Sequence, residues 1–372
     1  MPIKYHENQF PPINNLDWSK LIPHIGTTMA EISRYDGMLR AIPNADVLLS
    51  PLTTQEAVLS SKIEGTQATM GDVLEYEAMG DSDRIDTSRR NDIQEVLNYR
   101  RAMHEAEQMM ETYPLCQRVI KHIHETLLSG VRGQNRSPGE YRKIQNWIGP
   151  SGCTIENALY VPISADKLIV GMNTWESFIH NDFPDNLVKL ALIHVEFESI
   201  HPFLDGNGRL GRMMIPLFLW EKNIISRPTF YVSAAFERDR TSYYQKLRAV
   251  SSDGNWTEWC IYFLESLRSQ AIEKQQKTLE IMALYEDMKT KIPTILQSAY
   301  TIQVIDWIFT CPIFSSTIFS NQSDIKKQTI RRALNVMTEV GILKIIRPAS
   351  GRRPAVYCFP ALLNAVEGKE AF

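Results

Sequence analysis

Apolar residues recur along this chain mostly with a helical period. Leu187, Leu190, Ala191, His194, Phe197 and Glu198 trace one 3.6-residue repeat, and Leu210, Met213, Met214, Leu217, Phe218 and Trp220 trace another. Gly206-Asn207-Gly208 lies between them, so the pattern predicts two helices joined by a glycine-rich turn. Helical periodicity also covers residues 16–59, with breaks expected at Pro23, Pro43 and Pro51. A long helix is predicted over 92–112, ended by Pro114, and a second, polar one over 258–288 with Lys274-Gln275-Gln276-Lys277 on its wet face. The first ten or so residues read as extended, and residues 80–83 and 86–90 as a polar, charged loop. Two short β-prone runs, 146–148 and 158–161, flank Gly149-Pro150-Ser151-Gly152 and predict a hairpin. Such a hairpin can present an open edge to an extended partner segment.

The last part changes character. Residues 302–309 read as a helix, Ser315-Ser316 and Ser323-Asp324 as helix caps, and 325–340 as an amphipathic helix. Two β-prone runs, 343–346 and 355–358, flank Ser350-Gly351-Arg352-Arg353. Three helices and a β-wing make a winged helix. Residues 324–354 hold Lys326, Lys327, Arg331, Arg332, Lys344, Arg347, Arg352 and Arg353 against Asp324 and Glu339, a net +6. A basic helix with a basic wing is a footprint of DNA binding, and wings of this kind also serve protein contacts; the sequence leaves both open.

The whole chain of 372 residues has a net charge of −3, which excludes a global bias toward nucleic acid or membrane. A hydrophobic content of 44% supports a sizeable core. Cys116, Cys153, Cys260, Cys311 and Cys358 are scattered, which argues against a zinc site or a disulfide framework and fits a reducing compartment. The N-terminus lacks a basic-then-apolar leader, and no apolar run approaches the roughly 20 residues of a membrane helix. The expectation is a cytoplasmic, mainly α protein. Its expected parts are an N-terminal helical region (1–114), a core (115–267), a connector helix (268–290) and a winged helix (291–372).

The densest chemistry lies in His201-Pro202-Phe203-Leu204-Asp205-Gly206-Asn207-Gly208-Arg209-Leu210-Gly211-Arg212. Glycine lets the backbone approach a ligand closely, and a helix N-terminus exposes N–H groups that favour an anion. Arg209 and Arg212 are three apart, one turn along the second helix, so two guanidinium forks share a face. Asp205 could ligate magnesium, which takes one or two carboxylates plus substrate phosphates. His201 has the chemistry of a general base near neutral pH. Base, metal ligand, anion cradle and charge clamp suit phosphoryl or nucleotidyl transfer. A metalloprotease reading of His194, Glu198 and His201 fails on spacing and lacks a third ligand.

These twelve residues match the Fic signature, His-Pro-Phe-x-(Asp/Glu)-Gly-Asn-Gly-Arg-x-x-Arg, at every fixed position. The resemblance implies a helical core with a β-hairpin flap and transfer of AMP from ATP to a Ser, Thr or Tyr hydroxyl of a target protein. By position, His201 would deprotonate the hydroxyl, Asp205 would hold Mg2+, and the stretch Gly206, Asn207, Gly208, Arg209, Leu210, Gly211 and Arg212 would bind the nucleotide. Within it, the arginines would take the outer phosphates, and Phe203 would anchor the loop by packing. Pro138-Gly139-Glu140-Tyr141-Arg142, Trp147-Ile148-Gly149 and Tyr160-Val161-Pro162 resemble the flap region, and Ser242-Tyr243-Tyr244 with Trp256 and Trp259 the segment after the signature. Tyr244 is the candidate contact for the nucleoside.

Ser60-Ser61-Lys62-Ile63-Glu64-Gly65 fits the family's inhibitory pattern, (Ser/Thr)-x-x-x-Glu-(Gly/Asn), which assigns Ser60, Glu64 and Gly65. Glu64 at a helix end could pair with Arg212 and occupy the γ-phosphate position, within the same chain. Carboxylate and phosphate would compete for one guanidinium, each charge-assisted bond contributing about 1.5–3 kcal/mol. Self-modification and a homodimer are compatible with this reading. Two alternatives stand beside it: another phosphate-containing donor on the same fold, or a DNA-binding regulator with a nucleotide-sensing core. An intact signature favours ATP over the first and catalysis over the second.

Overall fold

A computed structural model describes residues 1–42, 45–79, 86–351 and 353–370. The loop expected at 80–83, the break at Pro43 and Arg352 of the basic tail lie outside the described residues. The chain begins with β1 (Ile3–Lys4), α1 (Trp18–Ala41), α2 (Ala45–Ile63), α3 (Met70–Met79) and α4 (Thr87–Met110). It continues through α5 (Gln117–Leu127), β2 (Tyr160–Val161), α6 (Leu168–His180), α7 (Asn186–Ile200) and α8 (Asn207–Glu221). Then come α9 (Ser233–Arg238), α10 (Arg240–Asp253), α11 (Trp256–Leu296) and α12 (Thr301–Thr310). The tail holds β3 (Ile313–Ser315), α13 (Ser316–Gln322), α14 (Lys327–Glu339), β4 (Lys344–Arg347), β5 (Val356–Cys358) and α15 (Pro360–Glu367). The protein is mainly helical, and among the described residues no helix is long and apolar enough to cross a membrane.

Two compact units divide the chain. The first comprises Met1–Gly37, Leu59–Thr66 and Leu97–Ile272. Its centre is α7, buried on nearly every side, packed on α6, α8 and α10. Trp175 and Trp259 are fully buried against it, and their indole N–H groups donate to the carbonyls of Ile193 (2.9 Å) and Ala191 (2.8 Å). The expected hairpin forms around an antiparallel bridge between Ile148 and Tyr160. The extended N-terminus adds β1 in parallel to β2, with Ile3 opposite Tyr160. His6 locks that strand in place: its ring nitrogens hydrogen-bond Ser251 Oγ and Glu196 Oε2, both at 2.7 Å, while Tyr5 donates to Glu196 Oε1 at 2.6 Å.

The second unit comprises Met38–Val58, Gln67–Val96 and Glu273–Phe372. Its antiparallel sheet has the order β3-β5-β4, and α3 packs on β3 and β5. Trp307 of α12 stacks on Phe319 of α13, ring centroids 4.7 Å apart.

Several elements differ from the sequence expectation. Pro23 and Pro51 lie inside α1 and α2. Each removes one backbone bond, and the buried neighbours Leu21, Leu48, Leu49 and Leu52 offset that loss. Residues 87–90 are helical, because Asp86 accepts the N–H of Arg89 at 2.9 Å and starts α4. Lys274 and Lys277 are buried, not on a wet face. Lys277 reaches Glu273 (3.1 Å) and Gln55 (3.4 Å), while burial, aided by the charge of Lys277, pushes Lys274 down to about 8. Ser315 caps α13 as expected, accepting the Ile318 N–H. Ser323 does not cap α14; its hydroxyl donates back to the Phe319 carbonyl at 2.7 Å.

Glu196 and His6 are 1% and 2% exposed, so removing one partner strands a buried polar group on the other. His6→Ala is expected to cost about 2–4 kcal/mol of unfolding free energy in a denaturant titration. A cost under about 1 kcal/mol would contradict the buried lock.

Candidate active site

The α7–α8 junction is held from both ends. Asp185 caps α7 by accepting the N–H groups of Leu187 and Val188, each at 2.9 Å. His201 closes the helix in the left-handed region, φ 50° and ψ 63°. A non-glycine residue there costs about 1–3 kcal/mol and persists only where its surroundings impose it. Arg142 is one such constraint. Its guanidinium, 2% exposed, donates to the carbonyls of His201 (3.0 Å), Ile144 (3.2 Å), Ile200 (3.3 Å) and Ile163, while its backbone N–H donates to Pro202 (2.9 Å).

The turn itself is pinned by Asn207, whose side chain accepts the Phe203 N–H and donates to the Phe203 carbonyl, both at 2.9 Å. Phe203 is fully buried and stacks on His124, centroids 3.8 Å apart. His124 accepts the Gly139 N–H at Nδ1 (2.9 Å) and faces the Asp205 carbonyl with Nε2 (3.0 Å). That pattern requires a neutral ring protonated on Nε2, in accord with burial driving His124 down to about 4. Gly206, φ 77°, starts α8 in a conformation that favours glycine.

A cavity of about 290 Å³ opens beside this junction. His201, Gly208, Arg212, Glu198, Tyr244 and Glu64 all line it, together with the hairpin residues Ile148, Gly149, Leu159 and Tyr160. Arg212 is 1% exposed and holds the last turn of α2: Nε donates to Ser60 Oγ (3.0 Å), and Nη2 to the Ser60 carbonyl (2.7 Å) and Glu64 Oε1 (2.8 Å). Its Nη1 is buried without a hydrogen-bond partner among the described residues. Burial disfavours charge on Glu64, but the neighbouring Arg212 outweighs it and holds the carboxyl below its ordinary range. The carboxylate presses on the first turn of α8, where a Cβ at Gly208 would collide with Oε1. Gly65, φ +98°, then turns the chain away.

Burial drives His201 down to about 4, against the opposing pull of Glu64, so its imidazole is neutral at pH 7. Its Nδ1 is buried without a partner among the described residues. Burial pushes Glu198 up to about 8, leaving a largely neutral carboxyl at the cavity wall.

Not every residue singled out in the sequence faces the cavity. Leu210 is fully buried core, and Gly211 gives room to Glu198, with which a Cβ would collide. Arg209 is buried and reaches Asp205 (3.6 Å), so the two arginine forks engage different carboxylates. Asn207 is 1% exposed, its side chain committed to Phe203. Asp205 is part-exposed and its Oδ1 accepts the Gly206 N–H at 2.7 Å. Among the described residues no group of three or more His, Cys, Asp or Glu could hold a metal. A lone carboxylate still fits magnesium, whose remaining ligands are substrate phosphates and water. His194 is a core residue, bonded to the Gly211 carbonyl (3.2 Å) and the Tyr243 hydroxyl (2.8 Å), which removes it from any metal set. The sequence reading overlooked the bracing roles of Arg142 and His124; the arginine closing the run Pro138-Gly139-Glu140-Tyr141-Arg142 was the available signal for the first.

A capped helix, a strained His201, a glycine-started second helix and a buried arginine come together at one cavity. Family models for the Fic/DOC family N-terminal region and the Fic/DOC family match residues 22–108 and 114–219. The chain belongs to the Fic family. It is 29% identical over 207 residues to a protein of Aquifex aeolicus named probable protein adenylyltransferase, and 23% identical over 183 residues to the protein adenylyltransferase Fic of Drosophila willistoni. Those matches cover 54% and 48% of this chain and span 55% and 32% of the relatives' lengths. The fold is shared with a Fic family protein from Desulfovibrio desulfuricans (TM-score 0.54, 23% identity, 91% of this chain and 96% of that one). It is also shared with a Fic domain containing signaling protein from Bacteroides thetaiotaomicron (TM-score 0.55, 16% identity, 68% of this chain and 96% of that one).

Lysine presents one donor centre where Arg142 presents a fork, so Arg142→Lys leaves several carbonyls of the junction unmet. A loss of about 2–3 kcal/mol in stability is expected from denaturant unfolding, and wild-type stability would remove the bracing role.

Proposed function

We propose that this chain is a protein adenylyltransferase, moving AMP from ATP to a Ser, Thr or Tyr hydroxyl of a target protein, and that Glu64 restrains it in cis. The observation that carries the reading is the neutral His201 beside a buried Arg212 in one cavity, with the Fic signature intact. A ring kept neutral at pH 7 is competent to accept a proton. The target oxygen attacks the α-phosphorus, its proton passes to His201, the bond to the β-phosphate oxygen breaks, and pyrophosphate leaves. Arg212 and the first amides of α8 neutralise charge on the phosphates, a role that needs positioning more than covalent chemistry. The orphaned Nη1 of Arg212 is a donor that a phosphate oxygen would satisfy. Asp205 would hold Mg2+, which shields phosphate charge when bound. Tyr244, with Arg240 5.7 Å above its ring, supports the nucleoside. The hairpin edge supports the target segment.

Glu64 occupies the donor that an outer phosphate would need. The competition for a charge-assisted bond of about 1.5–3 kcal/mol is worth roughly 10- to 100-fold. With ATP radiolabelled on the α-phosphate and magnesium, Glu64→Gly is expected to label protein at least about 10-fold more than wild type. Adding His201→Ala should abolish that label. Equal labelling of wild type and Glu64→Gly removes the restraint, and label only from the γ-phosphate replaces adenylyl with phosphoryl transfer.

The sign of the pH dependence follows from His201. Its pKa is depressed, so the base form persists as pH falls through 6.5 and is lost only near 4; removing Glu64, which pulls that value up, shifts the loss still lower. The kcat/KM of Glu64→Gly, which reports the free enzyme, should therefore stay flat from pH 7 to about 5. An acid limb centred near pH 6.5, the ordinary histidine value, would show that the imidazole is not held neutral by burial.

A further inference from the structure

The tail of the second unit carries a surface that the transferase reading does not use. α14 buries Ile330, Ala333, Leu334 and Met337 against its own unit and turns Lys327, Gln328, Arg331, Arg332 and Asn335 outward. The spacing i, i+1, i+4, i+5, i+8 makes these one continuous helix face. With Lys326 at its start, that face holds four cations and two amides; between Lys326 and Glu339, roughly 18 Å along the axis, there is no acid, and Asp324 lies just before the helix. No salt bridge joins any of the four cations to a carboxylate among the described residues. Arg347 of the wing is, by contrast, 3.8 Å from Glu75. Lys344 and Arg353 are exposed on the wing.

A second observation points to a phosphate. A cavity of about 540 Å³ opens at the first turn of α14, lined by Lys326, Gln328, Thr329 and Arg332 with Gln297 and Ser298 from the segment before α12. Its wall has no acidic residue, and the first amides of α14 lack a side-chain cap. Cationic donors around an uncapped helix start suit an oxyanion.

We propose that α14 enters the major groove of duplex DNA, with the first-turn cavity seating one backbone phosphate and Lys344 and Arg353 reaching flanking ones. A helix about 10–12 Å across fits the roughly 12 Å major groove of B-form DNA. Gln328, Arg331 and Asn335 are the side-chain types that read adenine and guanine edges there. The major groove of A-form RNA is too deep and narrow for the same helix. A protein partner would need a large apolar or aromatic anchor, and the outward face of α14 has none. The exposed pair Ile345 and Ile346 belongs to β4 and not to α14.

The test uses the full chain and a fluorescein-labelled, mixed-sequence DNA duplex of about 20 base pairs, followed by anisotropy as salt rises from about 50 to about 200 mM. Neutralising about three phosphates releases their counterions and predicts a slope near −2.7 in log affinity against log salt, an affinity loss of about 40-fold over that range. Arg331→Glu with Arg332→Glu should weaken binding at least about 10-fold, Arg331→Gln with Arg332→Gln should weaken it less, and Lys289→Glu on exposed α11 surface should leave it unchanged. Both positions are exposed on a helix, so the variants should melt with wild type. No duplex binding at the lowest salt, unchanged affinity in the double reversal, or equal affinity for duplex RNA overturns the proposal. The result is independent of whether the first unit transfers AMP.

Discussion

Arg212 carries a full charge into a site with 1% exposure, and the arrangement around the α7–α8 junction depends on that charge being answered. A buried guanidinium stripped of its partner is strongly destabilising, on the order of 3–5 kcal/mol. Here the answer comes from the last turn of α2, through Ser60 and Glu64. The same donors are what a polyphosphate would seek. Under the proposed function, carboxylate and outer phosphate compete for Nη2 of Arg212, while Nη1 is the donor left for a phosphate oxygen. Ser60, bound at the rear through Nε and Nη2, keeps the side chain aimed in both cases. On this account the restraint is built from ground-state chemistry and needs no second molecule.

The rest of the first unit serves to hold that geometry still. Asp185 starts α7, Arg142 gathers the carbonyls at its end, Asn207 clips the turn, and His124 stacks beneath it. Three imidazoles sit within this framework, and burial keeps all three neutral, His124 and His201 at about 4 and His194 at about 3. Only His201 faces the cavity. The other two spend both ring nitrogens on structure, which separates the proposed base from its two braces by hydrogen bonding.

The chemistry was legible in the sequence because it is contiguous. Twelve residues carry the proposed base, the turn and the arginines, and the Glu64 segment is short and distinct. The helical class, the hairpin and the basic tail also follow from periodicity and charge. The braces were not legible, since Arg142 acts on His201 from 59 residues away and His124 on Asp205 from 81. Their partners are backbone carbonyls, which leave no mark in side-chain pattern. Lys274 and Lys277 misled for a related reason: periodicity assigns polar residues to water, whereas burial with Glu273 and Gln55 makes them part of the interior. Pro23 and Pro51 read as helix breaks because a lost backbone bond is local, while the packing that overrides it is not.

The central claim is that Glu64 and the outer phosphates compete for Arg212. Equilibrium binding of ATP and AMP, each to wild type and to Glu64→Gly, tests it without any target protein. The account predicts that the substitution tightens ATP by about 10-fold or more while leaving AMP nearly unchanged, since AMP lacks the outer phosphates. Equal tightening of both nucleotides, or none for ATP, would contradict it.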